Sequence, residues 1–190
     1  MCDAGQSAQR VDAGSTLDLI KEAMLMAAAS NTLNLTRLEH SSQKVAEMLD
    51  ATSWAKDFSW QQMLLMGNYF KPCSIDAGLL LFDEGGPGGS MGILIKGCIE
   101  IYKKNKLIAT LRPGRTYGEM SLIDHQPRSA KAIAREESEL LIIDDALFKK
   151  LSEDHPRLAL QIIFKIAYFL SQNLRKTSGD LSDLLAEHSE

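Results

Sequence analysis

Two charged side chains separated by a short loop, Glu119 and Arg128, are the residues of this sequence best suited to recognising a small molecule. A guanidinium donates planar, paired hydrogen bonds to an anion, whereas an ionised carboxylate only accepts hydrogen bonds, as a hydroxyl donor requires. Gly118 before the acid lets the backbone pass close to a ligand, and Pro127 stiffens the approach to the arginine. The pattern therefore predicts an anion receptor with a separate acceptor for a hydroxyl group.

Two simpler interpretations of this stretch stay open. Glu119 and Arg128 can pair with each other across the loop, and surface pairs of that kind contribute little stability. The loop can also serve as a scaffold that binds nothing. Metal and catalytic interpretations are disfavoured, because the three cysteines lie far apart and no histidine has a partner at ligand spacing. No nucleophile is apparent either, so we expect no metal, no cofactor and no enzymatic activity.

The composition is that of an ordinary globular protein, with 45% hydrophobic and 24% charged residues among 190 and a net charge of −4. The negative charge argues against a broad electrostatic grip on DNA. No apolar run approaches the ~20 residues that cross a bilayer, and residues 1–10 lack the pattern of a secretory signal. Sparse cysteines fit a reducing compartment, so we expect a cytoplasmic protein without membrane contact.

The elements that must position the loop follow from hydrophobic periodicity. We expect residues 1–14 to be disordered and residues 15–56 to be helical, with Ser15 capping one helix and a capping box at 36–39 opening another. Short apolar runs between glycine turns predict antiparallel strands at 79–82, 93–95, 99–102, 107–111, 131–135 and 139–143. A short helix then ends near His155, and a long one runs from about Arg157 to Lys176. Gly179 is its expected stop, within an acidic tail at 177–190.

The motif resembles the phosphate-binding cassette of cyclic nucleotide-binding domains, which reads aromatic-Gly-Glu-apolar-small-Leu, a variable spacer, then Pro-Arg-small-Ala. This chain has Tyr-Gly-Glu-Met-Ser-Leu at 117–122 and Pro-Arg-Ser-Ala at 127–130. The order of elements over residues 57–176 is similar to the whole domain in catabolite activators and protein kinase A regulatory subunits. The resemblance implies a mainly β, α+β fold. Its centre is an eight-stranded antiparallel β-roll, or jelly roll, with N-terminal helices and a short and a long C-terminal helix.

The resemblance also implies a ligand, cyclic AMP in preference to cyclic GMP, with Glu119 on the ribose hydroxyl and Arg128 on the phosphate. The cassette residues expected to contact it are Gly118, Glu119, Met120, Ser121, Arg128, Ser129 and Ala130. In similar proteins the long helix covers the base, which makes Tyr168, Asn173 and Arg175 candidates for the base cap. The chain departs from the family pattern at positions that shape the roll and its turns rather than hold the ligand: Leu79, Gly86, Gly89 and Gly92.

Three kinds of protein could use such a domain: a stand-alone regulatory module, a catabolite activator-like transcription regulator, or an enzyme. Only about fourteen residues follow Lys176, in an acidic tail without a recognisable helix-turn-helix, so we expect no direct DNA binding. We expect ligand to favour a state in which the helices at 146–176 fold over the cassette. The apolar stripe of the long helix is either a core face or the seam of a homodimer: Leu160, Ile163, Phe164, Ala167 and Leu170. Any further protein partner is unknown.

Overall fold

The computed structural model describes residues 34–187, so the helix expected from Ser15 and the disorder expected over 1–14 lie outside the described residues. The helices are α1 (Ser42–Asp50), α2 (Trp60–Met66), α3 (Glu119–Asp124), α4 (Asp145–Asp154) and α5 (Pro156–Glu187), with a 3-10 helix at Ser53–Asp57. The strands are β1 (Thr36–Arg37), β2 (Lys71–Ile75), β3 (Leu80–Phe82), β4 (Ser90–Lys96), β5 (Ile99–Lys103), β6 (Lys106–Leu111), β7 (Thr116–Tyr117), β8 (Lys131–Ala134) and β9 (Ser138–Asp144).

Strands β2 to β9 form the predicted eight-stranded antiparallel roll from two sheets, with the orders β1-β2-β9-β4-β7 and β3-β8-β5-β6. Successive side chains of a strand point to opposite faces, which divides the core in two. Met91 and Ile93 of β4 pack against the helices. Leu94 of the same strand and Leu140 of β9 face the interior of the roll. The roll is therefore closed on one side by helices, and its loops are free to build a site.

The predicted capping box at 36–39 is wrong. Thr36 and Arg37 form β1, whose residues lie opposite Ser74 and Cys73 of β2. The outer edge of β2 offers unpaired backbone groups, and pairing with them outweighs the local preference for a helix start. The helix begins instead after Ser41, whose side chain accepts a hydrogen bond from the backbone N–H of Lys44.

The short and long C-terminal helices are confirmed as α4 and α5. Asp144 at the end of β9 caps α4, because its carboxylate accepts a hydrogen bond of 2.9 Å from the backbone N–H of Leu147. The expected stop at Gly179 is wrong, since α5 continues to Glu187. One glycine costs a helix only about 1 kcal/mol, and the residues on both sides of it continue the hydrogen-bond ladder.

The side of α5 that packs against the domain differs from the predicted apolar stripe. Leu158, Ile162 and Ile166 are buried against the roll and its helices. Leu160 and Phe164 are 55% and 67% exposed. These two residues therefore do not belong to the core of the described chain, and an intermolecular seam is the alternative that remains for them.

Candidate ligand-binding site

Gly118 joins β7 to α3 and sets the shape of the loop. It adopts a left-handed conformation with φ 74°. A Cβ atom built at this position would lie 2.4 Å from Nη1 of Arg128 and 2.8 Å from the carbonyl oxygen of Ser90. Only glycine leaves room here for the guanidinium, so the backbone approach expected at this residue serves to admit the arginine.

Arg128 is held rigidly, with 6% of its surface exposed. Its Nη1 donates hydrogen bonds to the Ser90 carbonyl (2.7 Å), the Ser121 hydroxyl (2.7 Å) and the Gly118 carbonyl (3.2 Å). Its Nη2 donates to the Ser90 hydroxyl at 2.7 Å. The guanidinium carbon also lies 4.3 Å from the centre of the Phe82 ring, a cation–π contact. All these hydrogen-bond partners are uncharged, so the guanidinium is fixed in place without an ion pair.

Glu119 and Arg128 form no ion pair in the described structure, so the simple pairing interpretation does not describe the loop. The Glu119 carboxyl is buried, and burial raises its pKa despite the opposing hydrogen bond to its own backbone and the charge of Arg128. Burial likewise lowers the pKa of Arg128, against the effects of Tyr117, Asp145 and Glu119. Two buried groups of opposite charge thus lie near each other, each at a cost in solvation.

Each of the two charged residues of the site has one buried polar atom without a hydrogen-bond partner, Oε2 in Glu119 and Nε in Arg128. An unsatisfied buried group typically costs about 1–3 kcal/mol, and such atoms are rare in folded proteins. One of these atoms is an acceptor and the other a donor. Together they form a complementary pair of unused hydrogen-bonding groups for a molecule that has a hydroxyl and an anionic oxygen.

A cavity of about 340 Å³ opens in front of these groups. Its wall combines the cassette with an apolar side from β3, β5, β6 and β7 and with the outer half of α5. The seven cassette residues predicted from the sequence all line it: Gly118, Glu119, Met120, Ser121, Arg128, Ser129 and Ala130. The apolar and helical parts of its wall are Phe82, Ile101, Ile108, Ala109, Leu111, Thr116, Tyr117, Asn173 and Thr177.

Of the three candidates for the base cap, only Asn173 lines this cavity. Tyr168 and Arg175 lie with Arg115 around a neighbouring cavity of about 540 Å³, which Asn173 also borders. Thr177 lines the ligand cavity and was not anticipated. It follows Asn173 by one helical turn, and its hydroxyl donates a hydrogen bond of 2.9 Å to the Asn173 carbonyl. The spacing of four residues between Asn173 and Thr177 was visible in the sequence. Thr177 was left out because the helix was predicted to end at residue 176.

Within residues 34–187, the His, Cys, Asp and Glu side chains form no group of three or more that could hold a metal ion. None of the helices in this part of the chain combines the length and the apolar character needed to cross a membrane.

Comparison with known proteins gives this cavity a family context. Residues 72–155 match the family model described as "Cyclic nucleotide-binding domain". The chain is 27% identical over 120 residues to the CRP-like cAMP-activated global transcriptional regulator of Mycobacterium tuberculosis, covering 60% of this chain and 52% of that protein. It is 32% identical over 127 residues to the cyclic AMP receptor protein of Thermus thermophilus, covering 63% of this chain and 55% of that protein.

A solved cyclic nucleotide-binding domain from Methylobacillus flagellatus has the same fold, with a TM-score of 0.66 and 21% identity over 75% of this chain and 85% of that one. Residues 72–155 belong to the cyclic nucleotide-binding domain family, and the β-roll with its flanking helices is the fold expected for it. The chain spans about half the length of the two curated relatives.

Proposed function

We propose that this protein is a regulatory domain that binds cyclic AMP in the cassette cavity and signals occupancy through α5. The observation that carries the proposal is the pair of unsatisfied buried atoms, Oε2 of Glu119 and Nε of Arg128, at the wall of one cavity. A cyclic nucleotide has a ribose 2′-hydroxyl to donate to the first and an anionic phosphate to accept from the second. Its binding would satisfy both groups with charge-assisted hydrogen bonds.

The remaining wall of the cavity suits a nucleoside. Ile108, Ala109 and Leu111 of β6 provide an apolar surface for the flat face of a base, and Ser129 adds a hydroxyl beside the arginine. Asn173 and Thr177 lie where the helix borders the cavity, so they are the residues we assign to the base cap. Tyr168 and Arg175 line the neighbouring cavity, which shares Asn173 with this one, and their assignment to the cap stays a prediction.

The preference for cyclic AMP over cyclic GMP rests on the cap. The hydrogen of the Thr177 hydroxyl is already donated to the Asn173 carbonyl, so this oxygen is left as an acceptor. Adenine presents an amino group at position 6, whereas guanine presents an oxygen there. The Asn173 amide can also pair with adenine through one donor and one acceptor. The names of both curated relatives refer to cyclic AMP, which agrees with this preference.

The output is proposed to pass through a dimer of α5. Apolar or small residues recur along it at alternating spacings of four and three: Leu160, Phe164, Ala167, Ser171, Leu174, Ser178, Leu181 and Leu185. The five large members of this seam are 55–68% exposed. This is the repeat of a two-stranded coiled coil, and it covers about 38 Å of helix. Asn173 adjoins Leu174 of the seam, so a ligand held by the cap acts directly on the helix that dimerises.

Calorimetric titration of nucleotide-free protein with cyclic AMP, cyclic GMP and 5′-AMP tests the binding proposal. We expect saturable binding of cyclic AMP at micromolar concentration or tighter, weaker binding of cyclic GMP and little of 5′-AMP. Chromatography of the nucleotide afterwards should recover it unchanged, because we propose a sensor rather than an enzyme. No heat and no saturation with any of the three would mean that the cassette is a scaffold.

Light scattering at several concentrations tests the seam. We expect a dimer for the unaltered chain and a monomer for Phe164→Glu combined with Leu174→Glu, because two charges would enter the apolar interface. Leu107→Glu is the control, since Leu107 is 51% exposed on β6 and lies outside the seam. A monomer at every concentration in the unaltered chain would refute the dimer and leave the nucleotide-binding proposal standing.

The similarity to a transcription regulator and a receptor protein makes a catabolite activator-like regulator the second candidate. For residues 34–187 we propose no direct contact with DNA, and we place the protein in the cytoplasm. An electrophoretic mobility shift assay with random duplex DNA, with and without cyclic AMP, distinguishes the regulatory domain without DNA binding from the catabolite activator-like regulator. A shift that requires cyclic AMP would favour the regulator.

A further inference from the structure

A side chain outside the cassette reaches into it. Lys103, the last residue of β5, donates a hydrogen bond through its ammonium group to the backbone carbonyl of Ser129, directly after Arg128. The same ammonium group pairs with Oε1 of Glu84 at 2.8 Å. The second oxygen of Glu84 accepts a hydrogen bond of 2.9 Å from the backbone N–H of Lys104. Glu84 thus holds the turn after β5 by two bonds, one to a side chain and one to the backbone.

The segment that begins with Glu84 is bound to Arg128 by a second route. The backbone N–H of Gly85 donates to the Arg128 carbonyl at 2.8 Å, and the Arg128 N–H donates to the Gly86 carbonyl at 2.9 Å. The connections from Glu84 to Lys103, from Lys103 to Ser129, and from Arg128 back to Gly85 form a closed ring. Three segments that are distant in sequence are therefore tied together at the backbone of Arg128 and Ser129.

We propose that Glu84 and Lys103 are positioning residues for the anion site, and that this clamp sets the placement of Ser129 and the backbone of Arg128 for ligand. The proposal rests on the proposed function and deepens it, because it concerns the same cavity. Both side chains of the clamp lie behind the loop. Neither of them lines the cavity, whereas Ser129 and Arg128 do.

The ion pair between Glu84 and Lys103 matters for binding although it is partly exposed. Its side chains are 44% and 32% exposed, so the ion pair by itself contributes little to the stability of the fold. The hydrogen bond to Ser129 is different, because the geometry of a binding loop controls affinity even where it hardly changes stability. We therefore expect a loss of affinity without a matching loss of stability, and this combination distinguishes a positioning role from a structural one.

The direction in which one substitution changes the affinity for cyclic AMP distinguishes a positioning role from simple electrostatics. Glu84→Gln removes a negative charge from the neighbourhood of a bound phosphate, so electrostatics alone would raise the affinity for cyclic AMP. An amide keeps one acceptor oxygen and replaces the other by an NH2 group that can only donate, so it cannot reproduce the two contacts that the separate carboxylate oxygens make with Lys103 and the Lys104 N–H. If the clamp positions the loop, the affinity falls, by about fivefold, as for the loss of one net hydrogen bond.

The experiment is a cycle of Glu84→Gln, Lys103→Met and the double variant, with cyclic AMP affinity and thermal unfolding measured for each. We expect each single variant to bind about fivefold more weakly, and the double variant to bind no more weakly than either one, because both break the same ring. Lys103→Arg should restore most of the affinity. Lys106→Met is the matched control, since it removes the same charge from the neighbouring strand without a contact to the cassette and should leave affinity unchanged. Affinity raised by Glu84→Gln, or additive losses in the double variant, would overturn the clamp.

Hydrogen exchange of the ligand-free protein provides a readout that needs no binding. Lys103→Met should speed exchange in a peptide over residues 125–131, whereas Lys106→Met should not. Equal exchange in all variants would refute the clamp whether or not cyclic AMP binds. Faster exchange in Lys103→Met together with no binding to the unaltered protein would retain the clamp and refute the proposed function.

Discussion

Replacing Arg128 by alanine is the substitution that we expect to weaken ligand binding most. The side chain holds four hydrogen bonds to uncharged protein groups, leaves Nε without a partner, and forms no ion pair with a carboxylate among the described residues. A bound phosphate would form the ion pair that this buried charge lacks. Loss of its charge-assisted bonds should cost about 2–3 kcal/mol of binding, which is on the order of a hundredfold in affinity.

The same substitution also affects the ligand-free fold, and the two effects must be separated. Alanine leaves the Ser90 and Ser121 groups without their donor, which we expect to lower the free energy of unfolding by about 1–3 kcal/mol. Calorimetric titrations should therefore be made well below the unfolding midpoint, which circular dichroism gives for each variant. Arg128→Lys keeps the charge but lacks the planar arrangement of donors, so we expect it to bind between the unaltered protein and Arg128→Ala.

Arg115→Ala is the matched control for this prediction. Arg115 is exposed and borders the neighbouring cavity, so its removal takes the same charge from the same region without touching the cassette. We expect its affinity for cyclic AMP to change by less than about threefold. Arg128→Ala binding as well as the unaltered protein, while still folded, would refute the assignment of Arg128 to the phosphate.

Four further predictions concern the cavity and the residues around it. Burial raises the pKa of Glu119, so the ligand-free fold binds this proton more tightly than the unfolded chain, and its contribution to stability falls as pH rises from the unfolded to the folded pKa. Glu119→Gln should remove that pH dependence in thermal unfolding and weaken cyclic AMP binding by about tenfold; unchanged binding would contradict its role. Gly92→Ala should lower the free energy of unfolding by about 1–3 kcal/mol in urea titrations, because the new methyl group would lie 2.1 Å from the Tyr117 hydroxyl oxygen. Tyr117→Phe should leave that free energy equal or higher, since the hydroxyl is buried without a partner. Asn173→Ala and Thr177→Val should each reduce the preference for cyclic AMP over cyclic GMP in competition titrations, and an unaltered ratio would remove them from the base cap.

Much of the candidate site could be predicted from the sequence because it is local. The carboxylate, the arginine and the glycine between the strand and the short helix lie within about a dozen residues, and their chemistry depends little on distant contacts. All seven cassette residues accordingly line one cavity. Six of the nine strands in the described residues were predictable for the same reason, since apolar runs between glycine turns are a local signal, whereas β1, β2 and β7 were not located in this way.

Contacts between distant segments could not be predicted from local sequence patterns. The start of β1 at Thr36 was hidden by a capping pattern, because the unpaired edge of β2 that overrides it is about 36 residues away. The departure from the family at Gly92 has a similar explanation, since the Tyr117 ring occupies the space that a side chain would need. The sequence interpretation left the stripe of α5 open between a core face and a dimer seam, because two faces of the helix are apolar and only the contact with the roll selects the buried one.

By itself, then, the sequence determined the type of fold, the cassette and the chemistry of Glu119 and Arg128, because these depend on residue type and on separations of a few positions. Tertiary structure alone decided that the two residues do not pair, that each keeps one unsatisfied atom, and that Asn173 and Thr177 line the cavity while Tyr168 and Arg175 do not. It also decided that Lys103 and Glu84 support the loop from behind. The physical reason is that burial, helix rotation and hydrogen bonds between distant segments exist only once the chain has folded.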